Sequence, residues 1–150
     1  MQNAICFSTK FGWITATEQK NKVTSIRFEK SSKQGKTSFL LNKLKSDINL
    51  FFKGEMKLIN LPLKIEGSSI QKKVWNELRK IKKGKTKSYG EIAKRLRLSP
   101  RYVGKICSQN RHILAIPCHR VIRSDGSLAG FSAMGGINLK KKLLEFERNK

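Results

Sequence analysis

The sequence predicts an α+β chain in two parts. Short β-type runs end at Phe28, apolar residues recur at helical spacing from Leu40 onward, and helix-start signatures cluster between Ser68 and Pro100.

The β-type runs are Ala4–Phe7, Trp13–Thr17 and Val23–Phe28, separated by Gly12 and the polar stretch Glu18–Lys22. Joined by short turns, they predict a small antiparallel sheet. Glu29–Thr37 is polar, basic and carries Gly35, which marks a loop. Leu40, Leu44, Ile48 and Phe52 then lie on one face of a helix. Lys53–Gly67 holds Gly54, Pro62 and Gly67 without a sustained period and is an irregular connection. The expected division is an N-terminal α/β lobe with its connecting loop at residues 1–63 and a second domain at residues 64–150.

The second domain opens on Ser68 and Gln71, a capping-box pattern, followed by the stripe Ile70, Val74, Trp75, Leu78 and Ile81, which predicts a helix running to Gly84. Ser88 with Glu91 is a second capping box, and Ser99 with Pro100 marks another helix start. These two helices are expected to bury Ile92, Ala93 and Leu96, and Val103, Ile106 and Cys107. Short, basic and joined around Leu98–Ser99, they have the form of a helix-turn-helix, which an ordinary packed helix pair can also take.

Charge narrows the class of partner. Lysine and arginine number 33 against 10 acidic residues in 150, a formal charge of +23, while 38% hydrophobic content suffices for a core. Between Arg79 and Arg111 twelve basic residues face the single acid Glu91, concentrating charge on the helix-turn-helix. Nucleic acid is the expected partner. The chain has no membrane-length apolar run and its start lacks the apolar core of a secretory signal, so the expected location is cytoplasmic. Cys6, Cys107 and Cys118 lack Cys-x-x-Cys spacing, which argues against a disulfide framework or structural zinc.

Ile116-Pro117-Cys118-His119-Arg120-Val121 places a nucleophile beside a base. A free thiol ionises near pH ~8.5 and needs a cation or a helix amino end to react well at neutral pH. Pro117 at a first helical turn would put Cys118 in the positive end of a dipole, and His119 can accept the thiol proton. Consecutive side chains point apart, so a bridging water is the easier proton route. With Leu143 at zero on a C-terminal helix, Leu144 falls at about 100° and Glu147 at about 40°, whereas Glu145 falls at about 200°. Glu147 therefore sits on the apolar face, where a carboxylate needs a partner.

These motifs together resemble the methylated-DNA–protein-cysteine methyltransferases, also called alkylguanine-DNA alkyltransferases. The resemblance is carried by residues 116–122, by Ser88-Tyr89-Gly90-Glu91-Ile92-Ala93, by Gln71–Leu78 with Val74-Trp75, by Asn110 eight residues before the cysteine, and by Leu143-Leu144-x-x-Glu147. It covers nearly all of the second domain, and in the first mainly the order of elements and Phe51–Leu63. It implies a ribonuclease H-like N-terminal lobe, a winged helix-turn-helix in a C-terminal DNA-binding and alkyl-acceptor domain, and no cofactor or metal. The implied reaction flips an alkylated guanine out of duplex DNA and moves the alkyl group from O6 to the protein's own cysteine, once and irreversibly, with O4 of thymine as a second candidate donor. The implied partner is double-stranded DNA; the oligomeric state is left open by the sequence, with a monomer as the default.

By position, the resemblance implies Cys118 as alkyl acceptor, His119 as base through water, Glu147 as orienting carboxylate and Asn110 as the residue fixing the turn before the site. It implies Tyr89, Arg101, Val121 and Ser132 around the flipped base, with Arg101 filling the gap in the stack. The DNA-facing set is Ser99, Arg101, Tyr102 and Lys105. Ile70 and Phe131 depart from the family pattern, where phenylalanine and tyrosine are frequent. The rivals are a DNA-binding regulator or damage sensor without chemistry, which the cysteine argues against, and a cysteine hydrolase, which leaves the basic helices unexplained.

Overall fold

A computed structural model describes residues 2–31, 35–128 and 136–149. The chain forms two compact units, Met1–Ile65 and Glu66–Lys150.

In the first unit β1 (Asn3–Thr9), β2 (Gly12–Gln19) and β3 (Lys22–Arg27) form an antiparallel sheet in chain order. Lys20 and Asn21 take φ of 52° and 63°, the left-handed pair that matches a two-residue hairpin to the twist of its strands. Beyond β3, Val23 donates to Pro62 O and accepts from Lys64 N, both at 2.8 Å, so part of the connecting segment lies along the sheet edge. α1 (Phe39–Phe52) starts at Ser38, whose hydroxyl accepts the Leu41 N–H. It buries Leu41, Leu44, Ile48, Phe51 and Phe52, while Leu40 is half-buried: the stripe is wider than the four-residue spacing indicates.

The second unit contains α2 (Ser69–Arg79), β4 (Lys87–Ser88), α3 (Tyr89–Leu96), α4 (Pro100–Ser108), a single 3-10 turn at Cys118–Arg120, β5 (Val121–Ile122) and α5 (Gly136–Arg148). Both capping boxes form, on Ser68 with Gln71 and on Ser88 with Glu91, and Ser99 accepts the Tyr102 N–H above Pro100. β4 and β5 pair in parallel, which draws the start of α3 to the end of the Cys118 turn. Val74, Leu78, Ile92, Val103, Ile106 and Leu143 are core residues.

Two expectations need correction. α2 stops at Arg79 and not at Gly84: Lys80 and Ile81 donate to Glu77 O and Leu78 O in a tightened turn, and Ile81 stays buried beyond the helix. Leu96 is half-buried because Arg97 turns left-handed at φ 60° and closes α3 there, with Leu98 N–H reaching back to Ala93 O. Among the described residues, no helix is long and apolar enough to cross a membrane.

Candidate active site

The buried segment from His112 to Pro117 leads from α4 into the Cys118 turn. Asn110 holds it at both ends: its Nδ2 donates to Ile116 O at 2.8 Å and its Oδ1 accepts the His112 N–H at 2.9 Å. The Cys118 N–H also donates to Ile116 O, at 2.8 Å. Leu114 sits at φ 71°, a conformation that costs a non-glycine residue about 1 kcal/mol or more and persists only where its surroundings impose it.

Pro117, expected inside a first helical turn, instead caps a three-residue 3-10 turn, too short to supply a useful macrodipole. The expected lowering of the thiol by its surroundings is likewise corrected. Burial pushes Cys118 above the usual thiol value, and Asn110 and Lys140 pull it partly back. The thiol rests neutral, and its proton has to be removed during reaction.

His119 is 1% exposed and turns Nε2 to Glu147 Oε2 at 2.8 Å. Burial lowers its pKa and outweighs the pull of Glu147, so the imidazole is neutral. Burial alone would raise Glu147, yet bonds from Arg120 and His119 hold its carboxyl at about 2. An ionised carboxylate only accepts, so His119 carries its hydrogen on Nε2 and leaves Nδ1 as the acceptor. That is the tautomer a general base requires.

The spacing argument did not name Arg120. Its Nε and Nη2 donate to Glu147 Oε1 and Oε2, each at 2.8 Å, and Nη1 donates to Ile81 O at 2.7 Å, all buried. This fork ties α5, the Cys118 turn and the end of α2 together. Lys140 was also missed: it is buried, and its Nζ donates to Tyr89 Oη at 3.4 Å. Both left a signal. The carboxylate on the apolar face called for a cation, and the helical arithmetic that singles out Glu147 also puts Lys140 at about 60°, between the same leucines.

Tyr89 is half-buried at the start of α3, and burial, with Cys107 and Cys118 adding to it, pushes its hydroxyl up to about 12. Val121 is fully buried in β5 opposite Lys87. Ser99, Arg101, Tyr102 and Lys105 are all on the exposed face of α4 or its cap, apart from the buried cluster. Ser132 and Phe131 lie outside the described residues. Among the described residues, no group of three or more His, Cys, Asp or Glu side chains could hold a metal ion.

Residues 69–149 match the family model described as 6-O-methylguanine DNA methyltransferase, DNA binding domain. The chain belongs to the methylated-DNA–protein-cysteine methyltransferase family. A relative carrying that family name from Sulfolobus acidocaldarius is 46% identical over 97 residues, 65% of this chain but 61% of that protein, less than two thirds of its length. One from Metallosphaera sedula is 34% identical over 145 residues, 94% of this chain and 90% of that protein. The crystal structure of the Mycobacterium tuberculosis O6-methylguanine methyltransferase superimposes with a TM-score of 0.88 at 30% identity, covering 99% of this chain and 94% of that one. A structure of Mycobacterium tuberculosis OGT in complex with DNA gives 0.88 at 30% identity, covering 98% and 93%. The matched methyltransferase segment contains the whole cluster from Tyr89 to Glu147, and the longer matches extend the likeness through the first unit.

Proposed function

We propose that the protein repairs DNA by moving a methyl group from O6 of guanine in duplex DNA to Cys118, in one irreversible turnover. The observation that carries this reading is the Nε2 bond from His119 to Glu147 at 2.8 Å, which makes Nδ1 the proton acceptor one residue from a buried thiol.

The chemistry follows from that tautomer. The Cys118 proton passes through a water to His119 Nδ1, and Glu147, kept ionised by Arg120, stabilises the imidazolium that forms. Sulfur attacks the methyl carbon, the carbon–oxygen bond breaks with its electron pair left on the base, and a ring nitrogen takes up a proton as guanine regains its carbonyl. Water does not displace a thiolate from the methyl of a thioether, so the sulfur–carbon bond persists and each molecule acts once.

A sulfur on a buried turn cannot reach a base inside a stacked duplex, so the lesion is extruded, at a cost of a few kcal/mol that an inserted side chain partly offsets. Arg101, second residue of basic α4, takes that role, with Ser99, Tyr102 and Lys105 on the backbone. Tyr89, Val121 and Ser132 border the base, and Asn110 holds the turn. We read residues 1–63 as a ribonuclease H-like lobe and residues 64–150 as the DNA-binding and alkyl-acceptor domain with a winged helix-turn-helix. The expected location is the cytoplasm and the default state a monomer, without cofactor, and O4-alkylated thymine is a second candidate substrate.

Duplex DNA labelled in the guanine O-methyl group tests this. Label reaches the wild-type protein up to one equivalent, and Cys118→Ala binds the same DNA but takes none. Continued release of methyl into solution would defeat the single-turnover reading.

A further inference from the structure

Alternate residues of a strand point to opposite faces of its sheet. In the first unit Phe7, Ile14, Ala16 and Ile26 are buried on one face. The other face carries Ala4, Cys6 and Ser8 of β1, in register with Thr17, Thr15 and Trp13 of β2. The chain beyond β3 meets these strands at two points. Glu29 O accepts the Thr15 hydroxyl at 2.8 Å, and Lys36 O accepts the Ala4 N–H at 3.1 Å. Gly35 permits the second approach, because a Cβ there would lie 3.0 Å from Ala4 N and 3.1 Å from Ala4 Cβ. Between sheet and crossing segment lies a cleft of about 440 Å³, bordered by Ala4, Cys6, Trp13, Lys30, Gly35 and Thr37.

Two of these side chains point to the ligand. Trp13 is 41% exposed although an indole gains much from burial, and Lys30 Nζ sits 4.7 Å from the centroid of its ring. The volume falls within the range of small-ligand sites and suits one nucleotide. Charge selects an anion. Residues 29–37 hold three lysines against the single acid Glu29. Elsewhere in the unit Glu18 already accepts from Asn3 and Asn21, and Asp47 pairs with Lys43. An aromatic ring beside a cation on a flexible stem is how single strands are held: a base stacks on the ring and a backbone phosphate takes the cation. A duplex keeps its bases stacked on one another and cannot use the ring. An exposed cation–π contact is worth only about two- to fivefold in affinity, and a base stacked on an aromatic ring about tenfold. An incoming base therefore displaces the Lys30 ammonium, which turns to the phosphate.

We infer that this cleft holds one unpaired nucleotide of single-stranded DNA, its base on Trp13 and its phosphate against Lys30. The site lies within the first unit and stands apart from the alkyl-acceptor reading, and no covalent bond forms or breaks in it.

Cys6 serves as the reporter, since its half-buried thiol borders the cleft. The full chain is treated with iodoacetamide alone or with an oligodeoxythymidine of about eight nucleotides, and carboxamidomethylation of the Cys6 peptide is followed by mass spectrometry. Saturating oligomer is expected to slow the Cys6 reaction about tenfold in the wild type. Half-protection is expected to need about tenfold more oligomer in Trp13→Ala and about threefold more in Lys30→Ala. A blunt duplex long enough to stay paired is expected to leave the Cys6 rate unchanged. An unaltered Cys6 rate with oligomer bound to the protein, or equal half-protection in wild type and Trp13→Ala, would overturn the site. Equal protection by the duplex would refute stacking, and equal protection by thymidine monophosphate at the same nucleotide concentration would refute the strand. Should Trp13→Ala not fold, Lys30→Ala, altered at an exposed position, decides by the same measure. No arm uses a methylated base, so failure of methyl transfer from O6-methylguanine bears on the alkyl-acceptor reading alone.

Discussion

Glu147 concentrates the electrostatics of the site. It is buried, accepts from Arg120 and His119, and keeps its carboxyl at about 2 against the burial that opposes ionisation. Removing one partner strands the other charge, so Glu147→Ala is expected to cost about 3–5 kcal/mol in urea unfolding. The paired replacement Arg120→Met with Glu147→Leu recovers most of that stability but not methyl transfer. The pH dependence has a definite sign. Glu147 is depressed from 4.5, so its contribution is present above about 4.5 and is lost as pH falls toward 2. His119 is depressed from 6.5, so the unfolded chain gains a proton first and stability begins to fall below about 6.5. Cys118 is raised from 9.0, so its contribution is present below 9 and is lost as pH rises toward the folded value. Unfolding free energy is therefore expected to be largest between about 6.5 and 9, and a maximum below pH 5 would contradict these assignments.

At the scale of elements, local chemistry was legible where α2, α3 and α4 begin. Ser68, Ser88 and Ser99 form the caps their spacing predicts, since a cap depends on residues three apart and little else. Glu147 could be placed on the buried face of α5 for the same reason. What escaped depends on residues distant in sequence. The end of α2 is closed by a turn no periodicity marks, Cys118 begins a 3-10 turn where a longer helix was expected, and the Arg120 fork joins positions 81, 120 and 147. Lysine is so often solvated that Lys140, first of three consecutive lysines, does not draw notice by composition. α4 carries the prediction that belongs to this scale. Arg101→Ala is expected to slow repair of duplex DNA by tenfold or more, about 1.4 kcal/mol of lost stabilisation, while the thiol keeps its rate with iodoacetamide. Equal rates on duplex DNA would remove the wedge.

Over the whole molecule, a formal charge of +23 dominates association. Binding to undamaged duplex DNA is expected to fall roughly a thousandfold or more between about 50 and 200 mM salt, as counterions are released from several phosphates, and Lys105→Ala is expected to flatten that dependence. On the proposed function, charge brings the protein to DNA without selecting the lesion, and selection rests on the chemistry at Cys118. The decisive measurement is the mass of the Cys118 peptide after incubation with a duplex carrying one O6-methylguanine. One added methyl on that peptide, rising to a single equivalent per protein and no further, is the predicted result. Methyl on another residue, or guanine restored in excess of protein, would contradict it.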